Sequence, residues 1–173
     1  ARVRRWLNQS GTSGIDAVAM PGTPPAPASS VRIADMRGTG TPGVLWTFMP
    51  SAEVPDNYKY LDFTNGRKPH LLTRVANGMG AETTIEYGPS TEDYVRDWEQ
   101  GRPWRTHLPF PVQVVRKVVQ RDAISGAQLT TTLRYHHGHW DGAEREFRGF
   151  ACVDHLDSER FPAAGGASAA RAP

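Results

Sequence analysis

Glycine and proline cut this chain into short pieces, and that punctuation limits what it can fold into more than any other feature. The 17 Gly and 14 Pro fall between short runs rich in Val, Thr, Tyr and Phe, residues that suit a pleated, half-buried surface. The expected fold is therefore mainly β: antiparallel strands and long β-hairpins with one short helix. In VRIADMRGTGTPGVLWTF the pattern gives a strand over 31–34, a glycine turn over 38–43 and a strand over 44–48, which is one hairpin. A second unit, HLLTRVANGMGAETTIEY, places apolar segments on either side of Asn77-Gly78, a pair with easy access to positive φ. The helix is expected in STEDYVRDWEQG, with Ser90 or Thr91 as N-cap, acids in the first turn and Gly101 at the end. Tyr94 and Trp98, four apart, give it an aromatic face. LPFPVQVVRKVVQRD and AQLTTTLRYHHG then form a long ribbon around Ile124-Ser125-Gly126.

Two segments carry no packing pattern. PGTPPAPASS over 21–30 reads as a loop or linker, and the tail beginning PAAGG as disordered. With 173 residues the chain can bury roughly 70% of its unfolded surface. Its formal net charge of +2, from 20 Lys+Arg against 18 Asp+Glu, gives no electrostatic reason for a nucleic acid partner. One cysteine, Cys152, cannot form an internal disulfide. No apolar run approaches the ~20 residues of a membrane helix, so no membrane insertion is expected, and ARVRRWLNQS has neither an initiator Met nor an apolar signal core. The sequence has the look of a piece of a longer chain.

The stretch YHHGHWDGAEREFRGF, residues 135–150, holds the strongest candidate for chemistry. On an extended strand His137 and His139 project to one side with Asp141 after them, and imidazole and carboxylate both suit a divalent ion. A metal-dependent hydrolase on His137, His139 and Asp141 is the enzymatic alternative. A catalytic zinc site needs three protein ligands and an open position, while His70, His107 and His155 follow no ligand spacing. Asp141-Gly142 has the composition of a reversing turn, so a scaffold reading is preferred, with no catalytic residue, metal or cofactor. Glu144, Arg145, Glu146 and Arg148 read as charges paired between strands. ADMRGTGTPG has the rhythm of a calcium loop, yet Asp35 is its only carboxylate and Arg37 and Thr39 occupy the next alternate positions; a metal-free turn is expected. Cys152 shares a strand face with Phe150 and reads as a small core residue. Trp98, Trp104 and Phe110 read as core anchors, with a sugar-binding β module using Trp98, Trp104 and Trp140 as the other alternative.

Three stretches, KPHLLTRVANGMGAETTIEYGPST, GRPWRTHLPFPVQVV and YHHGHWDGAEREFRGF, occur in an order that resembles the middle region of the B component of bacterial insecticidal toxin complexes, shared with plasmid virulence B proteins. VRIADMRGTGTPGVLW resembles an FG-GAP-like propeller repeat. The resemblance implies a propeller-like hairpin region over 31–66 and the toxin B middle region, or start of an Rhs/YD-repeat β-shell, over 67–160; the poorly defined segment and linker over 1–30 and the tail over 161–173 carry no such likeness. The resemblance also implies a non-enzymatic, structural segment of a virulence factor. The expected partners are the rest of the same polypeptide, the C component, the pore-forming A component and an encapsulated effector. Assembly in the bacterial cytoplasm followed by secretion is implied. No catalytic residue of that family maps onto this stretch.

Overall fold

The computed structural model describes residues 29–49 and 57–161, with Arg4–Arg5, Gly11 and Val18–Ala19. Most of the expected 1–30 linker segment and residues 162–173 of the expected tail lie outside the described residues. The chain forms two compact units, one of residues 1–37 and 41–66, the other of residues 38–40 and 67–173.

In the first unit, β1 (Arg4–Arg5) pairs with β2 (Val18–Ala19), and a three-stranded antiparallel sheet joins β3 (Ser29–Ala34), β4 (Gly43–Phe48) and β5 (Tyr58–Leu61). The β3–β4 pair is the hairpin that the glycine-rich turn signals. Trp46, 3% exposed, anchors the sheet and lies opposite Val31 and Lys59. Gly43 is obligatory, because a Cβ there would stand 2.3 Å from the Leu61 carbonyl oxygen and 2.6 Å from the Tyr60 ring.

The second unit is a meander in the order β10-β9-β8-β7-β6. Its strands are β6 (Arg74–Ala76), β7 (Ala81–Pro89), β8 (Gln113–Asp122), β9 (Gln128–Asp141) and β10 (Glu146–Arg160), with helix α1 (Ser90–Glu99) between β7 and β8. Side-chain caps shape each reversal. Asn77 Oδ1 accepts from the Met79 and Ala81 amides at 2.8 and 3.0 Å, with Gly78 and Gly80 at positive φ. Asp122 accepts from the Ile124 amide and the Ser125 hydroxyl, and Asp141 from the Ala143 and Glu144 amides. Asp and Asn suit such turns because the short side chain replaces a backbone acceptor.

Two bulges interrupt the ladder, and each leaves an arginine without an opposite residue. Glu86 faces Lys117 and Tyr87 faces Val115, which sets Arg116 apart; Phe147 faces Trp140 and Gly149 faces His139, which sets Arg148 apart. A bulge re-aims the extra side chain, and Arg116 turns toward α1.

The helix departs from its sequence reading in two ways. Its N-cap position is Pro89, with no side-chain cap hydrogen bond. Ser90 lies inside the first turn, where it exchanges bonds with Val112: its amide donates to the Val112 carbonyl at 2.8 Å and its Oγ accepts the Val112 amide at 3.0 Å. Thr91 Oγ1 donates to the Gly38 carbonyl at 2.5 Å. Second, the aromatic face lies outward. Tyr94 and Trp98 stack at 6.3 Å and are exposed, whereas Ser90, Asp93 and Asp97 are buried. The C-terminal end follows expectation, with Gly101 at φ 72° and its amide donating to the Trp98 carbonyl.

Apolar burial is thin. Among the described residues the buried hydrophobic core side chains are Trp46 and Val114. Every residue of β10 from 151 to 160 is exposed. Cys152 is among them, because the strand runs on past the aromatic cluster that covers Phe150; the expected core role does not hold.

Candidate functional site

The histidine-rich stretch is built into the scaffold by the segment that precedes β8. Thr106 Oγ1 donates to the Gly138 carbonyl at 2.9 Å, the Arg105 amide to His137 Nδ1 at 3.1 Å, and the Trp140 amide to the His107 carbonyl at 3.0 Å. GRPWRTHLPFPV thus lies across GHW. Gly138 permits the close approach: a Cβ there would fall 2.8 Å from both Leu108 and Trp104 and 2.9 Å from Phe150.

Two of the three candidate metal ligands, His137 and Asp141, are committed to separate local contacts. His137 adopts φ 56°, which interrupts the two-residue alternation that would align it with His139, and its Nδ1 holds the Arg105 amide. His139 is exposed. Asp141 caps its turn and meets the Arg148 guanidinium at 3.5 Å; the Glu144 amide first, and the Ala143 amide and Arg148 with it, hold its carboxyl below the usual range despite some burial. Among the described residues no group of three or more His, Cys, Asp or Glu is placed to hold a metal ion.

The other candidates are also committed to local structure. Arg148 contacts Glu146 at 3.2 Å as well as Asp141. Asp35 Oδ1 accepts the Arg37 amide at 3.2 Å, and the Arg37 guanidinium reaches Asp62 at 3.4 Å. Trp104 packs edge-on against Tyr94 and Phe150, while Trp140 packs edge-on against Phe110 at 5.0 Å. Trp98, the third residue of the candidate sugar-binding set, is 62% exposed and stacks on Tyr94.

The most organised polar site lies beneath α1, and the sequence reading did not single it out. Asp93 has no exposed surface; Arg96 donates to its Oδ1 at 2.5 Å and Arg116 to its Oδ2. Arg96 also donates to Asp97 Oδ1 at 3.1 Å. Asp97 Oδ2 meets Trp104 Nε1 at 2.7 Å and His136 Nδ1 at 2.6 Å. The second His136 nitrogen, Nε2, lies 3.1 Å from Asp154 on β10. Burial alone pushes the Asp97 carboxyl up, but hydrogen bonds from Trp104, His136 and Arg96 outweigh it and hold the group below the usual carboxylate range. The network ties α1 to β8, β9 and β10 through charge. The available signal was the spacing of Ser90, Asp93 and Asp97, one helix face of small polar and acidic residues.

The model of the insecticide toxin TcdB middle/N-terminal region matches residues 8–168. The chain belongs to this family. As a TcdB middle/N-terminal region it is also similar to solved structures: the crystal structures of TcdB2-TccC3 and of TcdB2-TccC3-Cdc42, each at TM-score 0.74, and of TcdB2-TccC3 without its hypervariable C-terminal region, at 0.73. In each the identity is 32% over 93% of this chain, which spans 8% of the matched chain. No curated protein sequence matches it. A TcdB-type segment with an antiparallel, mainly β fold and one short helix is what the three sequence stretches imply. Among the described residues no helix is long and apolar enough to cross a membrane.

Proposed function

We propose that this chain is a non-catalytic wall segment of a secreted toxin-complex B component, linking a propeller-like region over 31–66 to the start of an Rhs-type β-shell over 67–160. The shell encloses a toxic C-terminal effector together with the C component, and the pore-forming A component delivers it. The observation that carries this reading is β10. Among the described residues, a 15-residue strand at the end of a five-stranded sheet pairs along one edge only, and a long free edge is a template for another strand. Family membership supplies the rest of that strand's surroundings: further segments of one long polypeptide.

Val153 and Leu156 test it. Both are exposed, at 44% and 67%, and strand alternation puts them on opposite sheet faces. Val153→Asp and Leu156→Asp leave the melting temperature of this chain unchanged. In the complete B–C assembly, one of the two strips protease protection from the effector. Full protection with both variants would overturn the wall reading.

A further inference from the structure

His136 is held between two carboxylates that differ sharply in exposure. Its Nδ1 stands 2.6 Å from Oδ2 of Asp97, which is 2% exposed on α1, and its Nε2 stands 3.1 Å from Oδ2 of Asp154, which is 61% exposed on β10. An ionised carboxylate only accepts, so satisfying both requires N–H on both ring nitrogens, which is the imidazolium. A neutral ring has one N–H and one lone pair. It serves one carboxylate and repels the other.

Burial decides which contact survives. Asp97 has no water to turn to, and its Oδ2 meets both the Trp104 indole N–H and His136 Nδ1. Asp154 is solvated and loses little on release. We propose that His136 is a pH-dependent clasp between α1 and the edge strand β10, closed as imidazolium and open on its Asp154 side when neutral. Histidine is the side chain whose charge changes between about pH 5 and 8, so the tie of β10 to the helix tightens in acid and slackens toward alkaline pH.

The surrounding charges pull both ways, the carboxylates favouring the charged ring and the guanidiniums opposing it from farther off. From α1 come Asp97 and, behind it, Arg96 and Asp93, with Arg116 of β8 on the far side of Asp93. The hollow beside the ring is lined by Arg102 from the loop after α1, His137 from the same strand, and Cys152 and Asp154 from β10. Two carboxylates contact the ring directly. The clasp stands whether or not the chain builds a shell.

Ring-nitrogen NMR of the whole chain at low ionic strength tests it, in the wild type and in Asp154→Asn, a change at an exposed position that leaves the fold in place. The wild-type ring shows N–H on both nitrogens in acid, with Nε2–H in a stronger hydrogen bond than in Asp154→Asn. Thermal midpoints of the two proteins differ by about 2 °C near pH 5.5 and coincide near pH 8.5. Identical Nε2–H signals in the two proteins, or a midpoint gap that does not change with pH, would overturn the clasp.

Discussion

Arg116, the residue that the β7–β8 bulge leaves without a partner, donates to the carboxylate of Asp93, which has no exposed surface. The same guanidinium donates to the Pro89 carbonyl at 2.5 Å and lies 3.4 Å from Glu92. One side chain therefore holds the entry of α1, its first turn and β8 together. Breaking a buried ion pair strands the remaining charge and costs about 3–5 kcal/mol. Asp93→Asn and Arg116→Ala are each expected to destabilise by that order in chemical denaturation, and the double variant by less than the sum, because the two share one interaction.

Gly138→Ala is expected to destabilise by about 1–3 kcal/mol, the usual range for an overpacked site. The added methyl meets Leu108, Trp104 and Phe150 inside 3 Å, so the 104–108 segment has to lift from β9. Denaturation midpoints measure the loss, and reduced edge contacts to Trp104 will show in near-ultraviolet circular dichroism.

Acid should weaken this fold through Asp97. Its carboxyl titrates lower in the folded chain than in the unfolded one, so the stability it contributes is complete above the ordinary carboxylate range and is lost as pH falls through the folded value. Asp62, Asp122 and Asp141 are shifted the same way, chiefly by hydrogen bonds from the turns they cap. Melting temperatures recorded downward from pH 5 will fall, and Asp97→Asn will shallow that slope while lowering its starting point.

A chelator should leave the melting temperature where it is. His137 holds the Arg105 amide, Asp141 caps its turn, and no ligand trio is assembled among the described residues, so His137→Ala is expected to change neither metal content nor the response to added zinc, as read by elemental analysis and calorimetry.

Strand boundaries were legible because Asn77-Gly78, Ile124-Ser125-Gly126 and Asp141-Gly142 announce turns through their composition, and Asn77 and Asp141 cap their reversals as that chemistry dictates. The orientation of α1 was not. Trp98 reads as a core anchor, but burying Asp93 and Asp97 instead becomes favourable once Arg116, aimed by a bulge, and His136, 39 residues from Asp97, converge on them. Bulge positions depend on strand register, which a single sequence does not display. The fate of Cys152 was hidden for a related reason: alternation tells which residues share a face, not whether anything covers it.

The most direct measurement of the central claim is amide hydrogen exchange along 151–160, in this chain alone and in the complete B–C assembly. The account predicts fast exchange for the outward amides of β10 in the isolated chain and strong protection of the same amides once a neighbouring strand of the wall adds to that edge. Equal exchange in both states would contradict it.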